Sequence, residues 1–372
     1  MKVALVNLTS GGLSGGYQKY LSAVVPRMRR DARIGAMNVF VPPEFVEAPA
    51  FRALGAECWP RDDPWRGYPS LNRRLQEINP NVVFIPTSRH LETGTPTAIM
   101  VRNMEPLEAP FAGNPWPEKL RNLARCAASR HACRAATSVI AVSAHVKEFL
   151  VRRWGISAEK VSVIYHGVED HAGGVSACSP VSAGALTPGR FAFTAGSIRP
   201  ARGLEDAVEA VAHLKLRGIE IPLAIAGGFE TAQHQYLRAM AGLAERCGVA
   251  NLVVWLGHLS PVEMAWCYMN CRVSITTSRA EACPNTVLEA MSHGCLCIST
   301  KTPPMPEFYK DSCCYYDGGN AIDLANVMAE LVESADGEKQ RLREAALARS
   351  RAFTWDKTAT QTVDMLLATS SR

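Results

Sequence analysis

The sequence lacks any apolar run of about eighteen residues, the length a helix needs to cross a bilayer, so no transmembrane span is expected. It also lacks G-x-G-x-x-G and G-K-[ST], which sets aside the nicotinamide-binding fingerprint and the P-loop. Its 12 cysteines contain no C-x2-C pair and no repeated spacing, so neither a disulfide framework nor a zinc site is expected. Cys267-x3-Cys271 and Cys295-x-Cys297, with His293 nearby, are the groupings a metal could use, and small buried cysteines account for them as well. No Asp-x-Asp pair occurs, which removes a familiar way of holding a divalent metal on a diphosphate. No tract interleaves basic with aromatic residues, so nucleic acid is not an expected partner. Internal repeats and low-complexity tracts are absent too.

What is present fits a globular α/β protein. A chain of 372 residues exceeds one ordinary core and suits two domains of similar size, and its 47% apolar content is ordinary. The opening Lys2-Val-Ala-Leu-Val-Asn-Leu8 turns polar too soon for a secretory leader and reads as a buried first strand. The expected location is therefore the cytoplasm or the inner face of the membrane. Residues 1–167 carry 22 Lys/Arg against 13 Asp/Glu and the remainder 18 against 22, so about +9 sits in the first part and about −4 in the rest. A basic first half suits an anionic partner or membrane surface, or is a solvated basic face.

Strand and helix signals alternate along the chain, the pattern of parallel, doubly wound sheets. Val3 to Leu8 leads into Thr9-Ser-Gly-Gly-Leu-Ser-Gly-Gly16, and the helix after it, about Tyr17 to Arg30, places Tyr20, Leu21, Val24, Val25 and Met28 on one face. Strand, glycine-rich turn and helix accept phosphate because residues without a Cβ let backbone N–H groups approach an oxyanion. A surface loop is the alternative. Strands follow at Ile34 to Val41, Val82 to Ile85 and Thr97 to Val101, with a helix at Tyr68 to Ile78. The last of these strands ends at Arg102-Asn-Met-Glu-Pro106, where Asn103 and Glu105 are binding candidates and a buried Asn closing a turn is the alternative. A helix from Pro115 to Ala136 carries Arg121, Arg125, Arg130 and Arg134 broadly on one side, as an exposed charged face or a membrane contact.

Ser138 to Val142 is a strand, Ser143 caps a helix to Arg153, and Val161 to Val168 closes the first domain. His166 there lines a site or braces a linker. A new strand, Phe191 to Ala195, then enters Gly196-Ser-Ile-Arg-Pro-Ala-Arg-Gly203, followed by a helix with Leu204, Ala207, Val208, Val211 and Leu214 on one face. Two arginines in a glycine-bounded turn before a helix can pair with a diphosphate, although exposed arginines are also common on surface loops. Strands at Pro222 to Gly228 and at Leu252 to Leu256, the latter ending in Gly257-His258, lead through a helix capped by Ser260 to a further strand, Val273 to Thr276.

That strand delivers the most informative stretch, Ser278 to Met291, reading S-R-A-E-A-C-P-N-T-V-L-E-A-M. It lies where a strand ends and a helix begins, the place where open α/β sheets bind ligands. Glu281 and Glu289 bracket it, Pro284 and Asn285 shape the turn, and the N–H groups near Thr286 to Leu288 are expected to lack partners within the helix. Such donors suit an anion and the carboxylates suit hydroxyls. Thr286 and Glu289 also have the spacing of a capping box, which would make Glu289 merely structural.

The run Glu281-Ala-Cys-Pro-Asn-Thr-Val-Leu-Glu289-Ala-Met, followed by Ser-His-Gly-Cys295, resembles the Glu-x7-Glu signature of retaining glycosyltransferases of family 4, the group 1 glycosyltransferases. The likeness spans the chain and is strongest from Phe191 to Met291. It implies the GT-B fold, an α/β architecture of two Rossmann-like doubly wound domains facing a central cleft. Residues 1–168 would bind the acceptor, 169–189 form the linker, 190–354 bind the nucleotide sugar, and 355–372 form a C-terminal helix packing on the first domain. The implied activity is that of a retaining hexosyltransferase without metal or cofactor. It would move a sugar from a nucleoside-diphosphate sugar to a hydroxyl of a glycan or lipid-linked acceptor, in cell-surface glycan or glycoconjugate synthesis.

By the same resemblance, Arg202 and Arg199 clamp the leaving diphosphate. Arg202 stands where the family has Lys, and Ser197 where it usually has Arg. Glu281 holds sugar hydroxyls and Glu289 the ribose, while Gly15, Gly16, Ser197, Gly228, His258, Asn285, Thr286 and Val287 join the donor site. Asn103, Glu105 and His166 are the acceptor-side candidates, and many members have a histidine where this chain has Arg102 or Asn103. The missing Asp-x-Asp argues against the other large glycosyltransferase fold. Two rival readings are a nucleotide-sugar 2-epimerase of the same fold, which needs no acceptor, and a non-catalytic nucleotide-sugar-binding subunit, which would bind without turnover.

Overall fold

A computed structural model of the protein describes residues 1–8, 15–59, 68–108, 113–169, 177–180, 184, 186–228 and 234–372. Most of the glycine-rich turn between β1 and its helix, and much of the expected linker, lie outside these residues. The chain divides into two compact units. One comprises Met1–Leu107, Pro117–Gly167 and Thr354–Arg372, and the other Glu108–Trp116 and Val168–Phe353.

The first unit holds β1 (Lys2–Val6), β2 (Ala36–Val41), β3 (Glu57–Cys58), β4 (Val82–Ile85), β5 (Thr97–Val101), β6 (Ser138–Ala141) and β7 (Val161–Val163). They form one sheet in the order β3-β2-β1-β4-β5-β6-β7, parallel at every pairing. Helices cover it, so β4 and β5 are buried along their whole length, as the unbroken apolar runs VVFI and TAIMV require. The helix after β1 begins at Gly15, two residues earlier than its periodicity suggests, and runs to Arg30. β3 and the one-turn helices Pro43–Val46 and Pro49–Arg52 are too short to leave a periodic signal. β7 ends at Val163 and not at Val168, because the chain turns away to meet the C-terminal helix.

That helix, Trp355–Ser370, starts at Thr354, whose side chain accepts from the Lys357 N–H, and packs on the helix Gly15–Arg30 and on β4 and β5. Trp355 is fully buried with Tyr20 and His166 around it. The approach is so close that a Cβ on Gly167 would stand 2.2 Å from the Trp355 nitrogen, so only glycine fits there. Arg27 with Asp356 at 3.0 Å and Arg33 with Asp364 at 2.5 Å fasten the outer edge.

The second unit holds β8 (Ala192–Ala195), β9 (Leu223–Ala226), β10 (Val253–Gly257), β11 (Val273–Thr276), β12 (Cys297–Thr300) and β13 (Cys314–Tyr316). Their order is β10-β9-β8-β11-β12-β13, again parallel throughout. The helix Leu204–Leu216 buries Leu204, Ala207, Val208, Val211 and Leu214, the face its periodicity marks. Each such burial contributes roughly 1.5–3 kcal/mol for the larger side chains. In both sheets the winding reverses beside the first strand, between β1 and β4 and between β8 and β11. Loops leaving the C-terminal ends of those strands open the crevice where such sheets bind ligands.

Candidate active site

In the second unit, the turn after β8 and the turn after β11 meet at the reversal point, and they are stitched together. The Thr277 hydroxyl donates to the Arg202 carbonyl at 2.7 Å, and the Arg279 N–H to the Ala201 carbonyl at 2.8 Å. Arg202 ends a short helical turn, Pro200–Arg202, that Arg199 precedes. Its Nη1 lies 3.3 Å from the Ser278 Oγ and 2.6 Å from the Glu281 Oε1. The contact with Glu281 is one of opposite charges, since its angle falls outside hydrogen-bonding geometry and Oε1 has no hydrogen-bonded partner among the described residues. The two side chains are only 16% and 11% exposed, so the attraction is little screened by solvent.

Gly196 makes this arrangement possible. Its φ of +137° lies in a region that L side chains rarely adopt, and a Cβ there would stand 2.5 Å from the Arg202 Cζ. The guanidinium thus lies flat across the end of β8. Neighbouring turns are laced to it: the Gly196 N–H donates to Ala226 O at 2.9 Å, Ile198 N–H to Gly228 O at 3.2 Å, and Gly227 N–H to Gly257 O at 2.8 Å. This gathers exposed Ser197, Gly228 and exposed His258 into one rim, with the His258 Nδ1 3.8 Å from where a Gly228 Cβ would stand. A pocket beneath is lined by Thr194, Gly196, Arg202, Tyr268, Thr277 and Thr286, among others.

The helix after β11 runs Asn285–Ser292, with Pro284 as its N-cap. This excludes the capping box, because Thr286 lies inside the helix and cannot cap it. Glu289 instead receives the Tyr268 hydroxyl at 3.1 Å. Burial first, and then the charge of Glu289, push the Tyr268 pKa well above the ordinary tyrosine value, so this hydroxyl remains a donor. The expected set of backbone donors needs correction. Val287 N–H and Leu288 N–H both donate to Pro284 O, at 3.0 and 3.3 Å, and the Val287 side chain is fully buried. The Val287 and Leu288 N–H groups are thus already engaged at Pro284, and the Val287 side chain lies in the core.

In the first unit, Gly15 and Gly16 open the helix after β1, Gly15 being exposed. Arg102, at the end of β5, lays its guanidinium 3.9 Å from the centre of the Tyr17 ring, and the Tyr17 hydroxyl lies 3.3 Å from the Asn7 Oδ1. Burial lowers the Arg102 pKa, with Tyr17 and Tyr20 acting against it. Asn103 is exposed, not buried as the alternative had it, and its Oδ1 accepts from the Glu105 N–H at 3.2 Å, closing the turn that leads into the one-turn helix Glu105–Glu108. Glu105 and His166 are buried, His166 against Tyr20 and Trp355.

Comparison with known proteins meets this geometry from outside. Residues 182–349 match the family model described as glycosyl transferases group 1, and residues 29–171 that described as glycosyltransferase family 4. The chain belongs to the family 4, group 1 glycosyltransferases. The D-inositol 3-phosphate glycosyltransferase of Streptomyces bingchenggensis (strain BCW-1) is 28% identical over 246 residues, 62% of this chain and 52% of that protein. Its namesake in Streptomyces scabiei (strain 87.22) is 24% identical over 249 residues, 63% of this chain and 54% of that protein. The chain thus spans about half the length of the curated relatives it matches. Anabaena Alr3699/HepE, solved with UDP and glucose, superposes with a TM-score of 0.74 at 19% identity, covering 99% of this chain and 100% of that one. WaaG, a glycosyltransferase involved in lipopolysaccharide biosynthesis, does so with a TM-score of 0.70 at 14% identity, covering 98% and 99%. These likenesses establish the GT-B fold.

In this family member, Arg202 lies against Glu281 and lines one pocket with Thr286. Two participants gave no sequence signal. Tyr268 sits in the last turn of an apolar helix, Pro261–Asn270, and only the tertiary fold brings its hydroxyl to Glu289. Asp206, four residues beyond Arg202, is buried and takes the Tyr316 hydroxyl at 2.9 Å and the Gly319 N–H at 2.7 Å, pinning the helix that carries the arginine loop.

Proposed function

We propose that this glycosyltransferase binds a nucleoside-diphosphate sugar at the C-terminal ends of β8 and β11 and transfers the sugar to an acceptor hydroxyl, retaining the anomeric configuration and using no metal. The observation that carries the reading is the Arg202–Glu281 pair at the reversal point of the second sheet. As the bond between sugar and phosphate lengthens, negative charge collects on the leaving diphosphate. Arg202 and Arg199, with the N–H end of the helix Asn285–Ser292, meet that charge where they already stand. This is the work a divalent cation performs in enzymes that carry Asp-x-Asp. Glu281, released from Arg202 as the diphosphate takes the guanidinium, accepts from sugar hydroxyls. Glu289, oriented by Tyr268, accepts from the ribose, and Ser197, Gly228 and His258 flank the nucleotide. Gly15 and Gly16 add helix N-terminal donors.

No carboxylate is assigned as a nucleophile. Retention then follows a front-face course: the bond between anomeric carbon and acceptor oxygen forms as the bond to the phosphate oxygen breaks, and that oxygen takes the acceptor proton. The excess of Lys/Arg in residues 1–167, Arg102 at a strand end, and relatives named for D-inositol 3-phosphate all favour an anionic or lipid-linked acceptor. The UDP and glucose held by Alr3699/HepE favour a uridine nucleotide sugar among donors. We assign the acceptor side to Asn103, Glu105 and His166, with Arg102 beside them, and the product to cell-surface glycan synthesis at the inner membrane face.

Calorimetry against a panel of nucleotide sugars, followed by product assays with and without acceptors, tests this. Arg202→Ala and Glu281→Ala are expected to lower turnover at least tenfold, about 1.4 kcal/mol, with an unchanged circular dichroism spectrum. Near-normal rates in both variants on the true substrates would refute the assignment. Product NMR decides retention, and activity unchanged by a chelator decides metal independence.

A further inference from the structure

The second sheet has another feature at its opposite edge. A pocket of about 740 Å³ lies at the N-terminal ends of its strands, where Arg190 precedes β8, Arg272 precedes β11 and Leu296 precedes β12. That volume is in the range of small-molecule sites, about 300–1,000 Å³. Arg343 and Lys339, from the helix Asp336–Ser350, line it too.

Lack of a carboxylate partner is shared with exposed arginines such as Arg73 and Arg217, so what marks these bases is that they gather in one pocket. Arg27, Arg33, Arg74, Arg202 and Arg279 each face a carboxylate within 3.3 Å. Among the described residues, Arg190, Arg272 and Arg343 face none, although all three line one pocket. Lys339 is held only at 3.7 Å by Asp336. The carboxylates in the lining, Glu220 and Asp336, are both exposed, while Arg272 and Arg343 are half-buried. Like charges gathered on a half-buried wall repel, and an anion that bridges them relieves the repulsion. The planar guanidinium fork matches phosphate oxygens two at a time, and the apolar Leu296 and Leu331 provide a floor for the rest of a small molecule.

We propose that this pocket is a second ligand site, for a small molecule bearing a phosphate or diphosphate. It is distinct from the donor site, which lies at the other ends of the same strands. Its lining segment Met269–Val273 begins one residue after Tyr268, whose hydroxyl orients Glu289. A ligand there is therefore an effector and not the group transferred.

The test is calorimetry with inorganic pyrophosphate on the full chain carrying Arg202→Ala, which removes the donor-side arginine. One-to-one binding is expected to persist and to weaken as salt rises. Adding Arg272→Gln and Arg343→Gln should lower affinity at least tenfold. Adding instead Arg341→Gln, on the same helix but paired with Glu338 at 3.9 Å and outside the lining, should leave affinity within twofold. Should the double replacement unfold the chain, the exposed Arg190→Gln replaces it and is expected to weaken binding at least threefold. Absence of one-to-one binding in the Arg202→Ala chain overturns the proposal. So does a loss with Arg341→Gln equal to that of the pocket variants, or an Arg190→Gln chain that binds as before.

Discussion

The Arg202–Glu281 pair makes a prediction in which stability and activity part company. At 2.6 Å and an effective dielectric of about 20, the gross attraction is about 6 kcal/mol, most of it offset by the cost of taking both charges out of water. Glu281→Gln keeps the shape and removes one charge, stranding a guanidinium whose remaining contact is the Ser278 hydroxyl. Breaking a fully buried pair costs about 3–5 kcal/mol. With 16% and 11% exposure and Ser278 still in place, we expect about 2 kcal/mol, or roughly 4–8 °C in melting temperature for a unit of this size. Arg202→Met should cost about the same. The double variant removes both charges together and should lose far less than the sum, giving a coupling of about 2 kcal/mol. Turnover, in contrast, should not recover in the double variant, because each side chain has its own task on the donor. Urea unfolding of the four proteins reads the first quantity and a glycosyl-transfer assay the second. Stability losses that add within about 0.5 kcal/mol would refute the reasoning.

Tyr268→Phe removes the donor to Glu289 and should weaken nucleotide binding about three- to tenfold, roughly the 0.5–1.5 kcal/mol of one hydrogen bond, as read by calorimetry with the free nucleotide. Gly196→Ala puts a methyl group onto the Arg202 guanidinium at a φ of +137°, so it should cost about 1–3 kcal/mol of stability and lower turnover as far as Arg202→Ala does. His90 supplies a pH dependence. Burial, then the nearby His131, lower its pKa from 6.5, with Glu92 acting the other way. The folded state therefore favours the neutral ring. The contribution is complete above the unfolded pKa of 6.5 and is lost as pH falls through the lower folded value. Melting temperature should thus fall in mild acid, and His90→Gln should flatten that part of the curve.

Much of the fold was legible because parallel strands and amphipathic helices write their burial into the sequence. The runs at Val82–Ile85 and Thr97–Val101, and the face of Leu204–Leu216, lie where periodicity puts them. The two-residue strand Glu57–Cys58 and the one-turn helices Pro43–Val46 and Pro49–Arg52 are too short to show a repeating pattern and could not be read. At the site, Glu281 and Arg202 were readable because motif and turn chemistry coincide within short stretches. The capping box at Thr286 and Glu289 was readable too, and wrong, because the spacing does not say which residue stops the helix. Pro284 does, since it has no N–H and its carbonyl already takes Val287 and Leu288. Tyr268 was beyond reach, as an apolar helix position twenty-one residues from Glu289 whose hydroxyl matters only once β11 is paired.

The composition of β8 and β11, and of the residues just after them, shows how the turns at their C-terminal ends are held in place. Parallel strands covered on both faces are ordinarily Val, Ile and Leu throughout. Here each stretch begins apolar, at Phe191 just before β8 and at Val273, and carries hydroxyls within and just beyond the strand, at Thr194, Ser274, Thr276, Thr277 and Ser278, all buried. Each buried hydroxyl would cost about 1–3 kcal/mol if left without a partner. Two are used on the arginine itself: Thr277 donates to its carbonyl and Ser278 meets its guanidinium. The hydroxyls thus fix the backbone and the head of Arg202 from opposite ends, while Gly196 removes the one Cβ that would block it. A charge held this way needs little rearrangement when a diphosphate arrives. On the metal-free reading proposed above, preorganisation of that kind is where the site finds its rate.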